Sequence, residues 1–532
     1  MKEEKNHSIY KVFENHATLS PHKFILAVQN EQVTYEKFVH NTNLIGKALS
    51  AIGVSANKKI GIILPNSVLW YEIFWAAVKL GAQPVPLDPQ IGEWEMERLL
   101  SLAEIEVCFI VESYRANNIN ENIIKIKDKI ASLTTIISLD KPKNVIESKD
   151  LSANEILYFE HFLEKGRNIT FSPSSKSPSK HDILMLACTS GSTGNPKIIS
   201  VPHRGFYKSQ KDMAAHLKFS SEDKMLLGMP LYHQGGFGMG LQVIIAGGTV
   251  YYLPIFNPEE FLTVIQEKKI TIVQLTSTLA KILISVPNFE KYDLSSLKMC
   301  YFAGEVLPKE LAKVFYQDLK IRVINIIGSS ETGTIVIWDS DTDHEVDVNE
   351  FSSLPFNDLM VLDENMQDVD CDKVGRIFIH TDALIKEYYG NKIETDLKLH
   401  DFNGKMWFNT GDLGIKRRDG RIRFAGREKR IIKRGANLVY PEEIESFLLS
   451  HPDVEAVAVS SENHELIGEM IVSYIQTKNG VNINRGNLAK YLKGKLAAYK
   501  IPDKVIHVSE IPHDIGKVQF KYLNKTKEIK ND

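Results

Sequence analysis

At 532 residues the chain is longer than one hydrophobic core usually supports, so a large unit and at least one smaller one are expected. Hydrophobic residues make up 43% and charged residues 25%, the balance of an ordinary soluble globular protein. A formal net charge of -3 gives no bulk attraction for nucleic acid or for an anionic membrane, so partners have to be argued from sites.

The chain starts Met1-Lys2-Glu3-Glu4-Lys5-Asn6, with acids and no apolar centre, unlike a signal or transit peptide. No apolar run is long enough to span a bilayer, and a cytoplasmic location is expected. Lys59 to Leu64 reads as a buried strand, Asn66 or Ser67 as a helix cap, and Val68 to Leu80 as an apolar helix ending at Gly81. Gln83 to Leu87 gives the next strand. A second strand–helix–strand unit is expected over Ile270 to Gln274, Leu279 to Ser285 and Met299 to Phe302. The four cysteines, Cys108, Cys188, Cys300 and Cys371, lie far apart with no CxxC pair, which argues against a disulfide framework or a zinc site. Ser172 to Lys180 is a polar, proline-punctuated connector leading into a strand over Ile183 to Cys188. Gly426 to Gly435 is dense in lysine and arginine, and Pro441 opens a helix with Ile444, Phe447 and Leu448 on one side. The expected fold is α/β: a large N-terminal domain, 1–426, of mixed, mostly parallel sheets with flanking helices, and a small mobile α+β domain, 427–532.

Directly after the strand at Ile183 to Cys188 comes Thr189-Ser190-Gly191-Ser192-Thr193-Gly194-Asn195-Pro196-Lys197. Glycines let backbone approach an anion, hydroxyls and amides donate to phosphate oxygens, and Lys197 adds a point charge. Taken alone, such a stretch is also an ordinary Gly/Ser surface loop. A Walker-type loop fails on spacing, because Pro196-Lys197 replaces the glycine-lysine pair and no Ser or Thr follows. With His203 six residues beyond Lys197, the segment resembles the signature loop of the acyl-adenylate-forming superfamily, which includes acyl-CoA and aryl-CoA synthetases, adenylation domains and firefly-type luciferases. Further segments match in that family's order, from Thr34-Tyr35 and Leu80-Gly81-Ala82 to Gly516-Lys517.

The resemblance implies roles for particular residues. Thr189, Ser190, Gly191, Ser192, Thr193, Gly194 and Lys197 would hold the ATP phosphates. Gly328-Ser329-Ser330-Glu331-Thr332 is similar to the family segment whose carboxylate helps hold Mg²⁺ on ATP, so Glu331 is the metal-side candidate, with Ser330 and Thr332 meeting phosphate and Gly328 beside the acyl group. Ile327 stands where many members place a tyrosine against adenine. Ala303-Gly304-Glu305 resembles the segment lining adenine and the acyl group. Asp412, in Thr410-Gly411-Asp412-Leu413-Gly414, would accept from the ribose hydroxyls, and Arg427 would reach ribose and phosphate. His233, in Pro230-Leu231-Tyr232-His233-Gln234-Gly235-Gly236, would border the carboxylate site and gate it. Lys517 resembles the lysine that bridges carboxylate and α-phosphate, although Pro512 to Gly516 is one residue shorter than in most members. Lys429 falls at the hinge position and Lys433 at the lysine that faces the active centre after the C-terminal domain rotates. Arg430 and Arg434 flank them in a basic cluster that the resemblance sets against coenzyme A phosphates. Taken singly, Glu331, His233 and Lys517 are also what a surface acid, a structural histidine and a solvated lysine look like.

The expected chemistry is an ATP-dependent ligation: a carboxylate and MgATP give an acyl-adenylate, then a thiol takes the acyl group. Amino-acid-activating relatives hold the substrate amine with an aspartate shortly after the position of Pro230-Leu231, and Tyr232 to Phe237 contains no acid. An acid without an α-amine is therefore favoured, and Phe237, Met239 and Leu241 hint at an apolar pocket, although such residues are more often plain core. Coenzyme A is the favoured acceptor and the phosphopantetheine arm of a carrier protein the alternative; a homodimer is one assembly the resemblance allows. An inactive binding module is the reading from a different class, and intact Lys197, Glu331, Asp412 and Lys517 speak against it.

Overall fold

A computed structural model of the chain describes residues 8–140, 156–169, 182–189, 196–304, 307, 309–343, 347–348, 350–427, 432–435, 437–439, 441–449, 451–511, 513–514 and 517–518. The connector from Ser172 to Lys180 lies outside the described residues.

Capped helices alternate with short apolar strands, and this alternation builds the parallel sheets. Lys59–Ile63 is a buried strand; Ser67 Oγ then accepts the Trp70 amide at 3.1 Å and starts the helix Val68–Lys79. Gln83–Pro86 returns parallel to Lys59–Ile63, and Val107–Ile110, Thr135–Ser138 and Leu157–Tyr158 complete a parallel five-stranded sheet. The second expected unit is present with shifted ends. Its helix begins at Ser277 because Thr276 Oγ1 accepts the Leu279 amide at 3.2 Å, and its first strand is Ile272–Leu275 because Lys269 turns the chain at a left-handed φ of 53°.

That unit belongs to a larger sheet, of 14 strands among the described residues. Its centre is parallel, running Phe24–Val28, Thr249–Tyr252, Lys224–Leu227, Ile272–Leu275, Met299–Phe302 and Arg322–Ser329. From Arg322–Ser329 outward the pairing becomes antiparallel, through Gly333–Asp339, Glu350–Ser353, Ile422–Arg427 and Lys405–Lys416. The change of direction sets the turn between Arg322–Ser329 and Gly333–Asp339 at the C-terminal end of a parallel strand, where ligands of α/β folds gather.

One core joins the two sheets. Helix Val68–Lys79 is apolar on nearly every face, and its Trp70, Phe74 and Trp75 are fully buried. Phe237, from the helix Gln234–Ile245, packs 4.6 Å from the Phe74 ring and 5.8 Å from the Trp75 ring. Phe237, Met239 and Leu241, read from the sequence as an apolar pocket or plain core, are all buried in the core. Each large side chain so buried stabilises the domain by about 2–3 kcal/mol.

From Ile432 onward the chain forms its own sheet, Asn437–Val439, Ile432–Arg434, Gly468–Thr477 and Val454–His464, with Lys504–His507 parallel to Gly468–Thr477. Its separate core includes Ile444 and Leu448 of the helix Pro441–Leu449, packed with Val459, Ile471 and Leu488. The fold is thus α/β, a large N-terminal domain of mixed sheets with a parallel centre and a small C-terminal domain. Among the described residues no helix is long and apolar enough to cross a membrane.

Candidate active site

Thr189 and Lys197 are directly opposed at the ends of the antiparallel strands Ile183–Thr189 and Lys197–Pro202, so the glycine-rich loop is the connection of a hairpin. Ser190, Gly191, Ser192, Thr193 and Gly194 lie outside the described residues. A third strand, Glu387–Tyr388, pairs with the lysine strand and sets Tyr388 opposite Ile199. The consequence is a compact array around Lys197. Its ammonium pairs with the Glu394 carboxylate and lies 5.3 Å from the centre of the Tyr388 ring.

Tyr388 reaches in the other direction to Glu331, its hydroxyl donating to Oε1 at 3.0 Å. Glu331 sits at the tip of the hairpin formed by Arg322–Ser329 and Gly333–Asp339. The Glu331 amide donates to Ser329 Oγ at 3.2 Å, and Ser329 Oγ lies 3.1 Å from Thr332 Oγ1, so the tip is a tight hydroxyl-rich turn. Gly328 permits it: a Cβ there would stand 2.4 Å from the Gly333 carbonyl oxygen. Lys197 and Glu331, assigned from distant motifs, are therefore linked through one tyrosine. A single half-buried carboxylate beside hydroxyls suits Mg²⁺, which keeps water and phosphate oxygens as most of its ligands. Among the described residues no cluster of three or more His, Cys, Asp or Glu side chains forms a protein-only metal cage.

The same hairpin lines a small apolar pocket. Ile327, Ile335, Val336, Phe351, Ile377, Ile422 and Phe424 surround it, and Asp412 is its one charged lining residue. Asp412 is 4% exposed, its amide donates to Thr410 Oγ1 at 3.0 Å, and it stands directly across the ladder from Arg427. Lys433 of the C-terminal domain puts its ammonium 5.9 Å from the Phe424 ring, so that domain meets the pocket's wall. Gly304, at φ 88°, has open space around it at the end of the parallel strand Met299–Phe302, and Glu305 lies outside the described residues.

His233 occupies the N-cap of the helix Gln234–Ile245, after a turn in which its amide donates to the Pro230 carbonyl at 3.2 Å. Asn66 fixes that turn by accepting the Leu231 amide at 2.8 Å and donating to the Leu253 carbonyl at 2.9 Å. Burial lowers the His233 imidazole to about 4, so it is neutral near pH 7, and among the described residues its Nε2 has no hydrogen-bond partner. His203, quoted with the signature loop, is a structural residue at the start of the helix His203–His216 and accepts the Ile9 amide at Nε2. Burial lowers it from 6.5 to about 4, against a smaller upward pull from Asp182. A neutral folded form with a depressed value loses stability as pH falls from 6.5 towards 4, by about 3 kcal/mol. His203→Gln should lose about that much less stability than wild type in denaturant titrations at pH 7 and pH 4.5. Equal losses in both proteins would refute the assignment.

Lys517 lies in the short strand Lys517–Val518, opposed to Asp514 in a two-stranded hairpin. Lys429 and Arg430 are outside the described residues. Arg434 does not extend the basic cluster: it pairs with Asp503 at 2.6 Å and donates to the carbonyls of Tyr499 and Ile501, holding the C-terminal domain together from within. The sequence reading missed Tyr388 and Glu394. Their one local signal is the capped turn that precedes helix Lys392–Lys398, where Asn391 accepts the Glu394 amide.

The structure thus brings together Lys197 at the end of a hairpin strand, a hydroxyl-rich carboxylate turn and an apolar pocket lined by Asp412, met by a second small domain. The AMP-binding enzyme family matches residues 13–389, and the C-terminal domain of AMP-binding enzymes matches residues 443–515. The chain belongs to the AMP-binding enzyme family, and it is an AMP-forming acid–thiol ligase. It is 25% identical over 509 residues to the indoleacetate–CoA ligase of Aromatoleum aromaticum, covering 95% of each chain. It is 24% identical over 559 residues to the mitochondrial medium-chain acyl-CoA ligase ACSF2 of Homo sapiens, covering 98% of this chain and 88% of that one. Its fold matches the o-succinylbenzoate CoA synthetase of Bacillus subtilis, solved with the product analogue OSB-NCoA, at a TM-score of 0.81 and 21% identity, covering 97% and 98% of the two chains.

Proposed function

We propose that the protein joins a carboxylic acid without an α-amine to free coenzyme A, through an acyl-adenylate formed on the N-terminal unit 1–426 and released to the thiol after rotation of the unit 427–532. The observation that carries this reading is the linked array Lys197–Tyr388–Glu331, whose Glu331 sits on the hairpin that also carries Ile327 into a pocket shared with Asp412. Lys197 and the loop hydroxyls Thr189 to Thr193 donate to the β- and γ-phosphates, while Asp412 accepts from the ribose diol. When Mg²⁺ is bound it neutralises phosphate charge, and Glu331 is the residue to hold it. A carboxylate oxygen attacks the α-phosphorus, the bond to pyrophosphate breaks, and Lys517 steadies the charge between carboxylate and α-phosphate. The thiolate then attacks the adenylate carbonyl, and AMP leaves as that carbon–oxygen bond breaks.

The names of the relatives set the range of acids to test, from medium-chain aliphatic to aryl-acetic. The turn Tyr232-His233-Gln234, with a neutral His233 and no acid, supports an acid lacking an ammonium group. Pyrophosphate release from MgATP, measured with octanoate, decanoate, benzoate, indoleacetate and amino acids in turn, is expected to depend on a non-amino acid and to give a coenzyme A thioester. Acid-dependent release with thioester only on a phosphopantetheinylated carrier protein would transfer the acceptor role to that partner. Failure of every acid to support release would refute the reading.

A further inference from the structure

A buried charged group with no part in the chemistry above ties the two domains together. Lys500, 6% exposed, lies in the C-terminal domain and donates to Glu443 Oε1 of the same domain at 2.9 Å. It also donates to Glu95 Oε1 at 2.5 Å, and Glu95 belongs to the N-terminal domain, in the helix Glu93–Leu102. Glu95 and Glu443 are 3% and 4% exposed, so two carboxylates share one ammonium out of water at the domain boundary. Against the downward pull of burial, both carboxylates hold the Lys500 ammonium well above its usual value. Around this centre the domains meet closely. Trp94 packs edge-on against Phe447 with ring centres 4.4 Å apart, and a Cβ on Gly92 would stand 2.3 Å from the Gly494 carbonyl oxygen.

Buried ion pairs contribute little net stability, because desolvation offsets their attraction, but removing one partner is costly. Such a pair therefore suits the selection of one geometry over another. In the docked geometry Lys433 lies over Phe424, on the wall of the Asp412 pocket, and Gly435 approaches Thr278 of the N-terminal domain. That orientation presents the Lys433 hairpin to the Asp412 pocket, and the family resemblance sets Lys433 at the active centre after the C-terminal domain has rotated for the thiol step.

We propose that Lys500 and Glu95 form an interdomain latch that selects the thiol-step orientation, with Glu95 as its N-terminal positioning residue. Glu443 holds Lys500 ready from within the C-terminal domain, and Glu95 completes the pair only on docking. The inference rests on the two-step reading above, and its test separates the two. Glu95→Gln keeps the side chain's shape and its ability to accept the Gly92 amide, yet removes the charge that Lys500 meets. Three proteins are compared, wild type, Glu95→Gln and Glu443→Gln, by acid-dependent pyrophosphate exchange, by thioester formation from supplied acyl-adenylate, and by the quenching of Trp94 emission, isolated by subtracting a Trp94→Phe background. In Glu95→Gln, exchange is expected to stay within about twofold while thioester formation falls about 10-fold and Trp94 becomes open to quencher. Glu443→Gln leaves the cross-domain pair in place and should keep Trp94 shielded. A Glu95→Gln protein with wild-type Trp94 shielding and an unchanged ratio of the two half-reactions overturns the latch; equal exposure in both variants also overturns it, since a general packing role would act through either carboxylate. If no acid supports exchange, the ligase reading fails, and Trp94 quenching alone still decides the latch.

Discussion

Replacing Lys517 by alanine is expected to lower acid-dependent pyrophosphate exchange by about 100- to 1,000-fold, the usual effect of deleting one preorganised charge at a crowded anionic centre. Attack of a carboxylate on an α-phosphorus gathers negative charge from both reactants, and positioning plus a cation is most of what a protein contributes there. Lys517 enters this account through its place in Gly516-Lys517, on a strand paired with His513–Asp514 in the C-terminal domain. Because the role proposed for Lys517 is confined to the first half-reaction, thioester formation from supplied acyl-adenylate should stay within about threefold of wild type. Single-turnover assays of the two steps check the prediction. A parallel loss in both steps would show that Lys517 supports the fold or domain docking instead.

The second large effect is expected at Asp412. The residue is 4% exposed in an otherwise apolar pocket, so in the proposed site the ribose would meet an acceptor held in a water-poor wall. Charge-assisted hydrogen bonds to two hydroxyls contribute about 1.5–3 kcal/mol each. Asp412→Ala should therefore raise the KM for ATP by about 100-fold or more, and 2′-deoxy-ATP should lose much less against the variant than against wild type. Unchanged discrimination between the two nucleotides would remove Asp412 from the ribose site.

Local features of the fold were legible because their causes are local. Ser67 caps the helix after the first expected strand, and an apolar run bounded by Gly81 can be read directly as strand–helix–strand. The helix Pro441–Leu449 likewise announces itself through its opening proline and the spacing of Ile444 and Leu448. Near the site, the strand leading into the loop before Lys197 was legible from its apolar run, Ile183 to Cys188, and the structure ends it at Thr189. The site was hidden where chemistry depends on pairs far apart in the chain. Lys197 and Glu394 are 197 residues apart, and Glu95 and Lys500 are 405 apart, distances over which no periodicity speaks. Phe237 shows the converse: an aromatic near a substrate motif suggests pocket lining, and its ring packs against Trp70, Phe74 and Trp75 in the core. Arg434, part of a basic run in the sequence, turns inward to Asp503 because its strand faces its own domain's sheet.

The central claim is that the acid is activated by joining its carboxylate oxygen to the α-phosphorus of ATP. An acid that supports pyrophosphate exchange, labelled with heavy oxygen in its carboxylate, is turned over with MgATP and coenzyme A, and the nucleotide product is weighed by mass spectrometry. The account predicts AMP carrying a labelled oxygen taken from the acid, formed in step with the thioester. AMP free of label, or label in inorganic phosphate beside ADP, would contradict it.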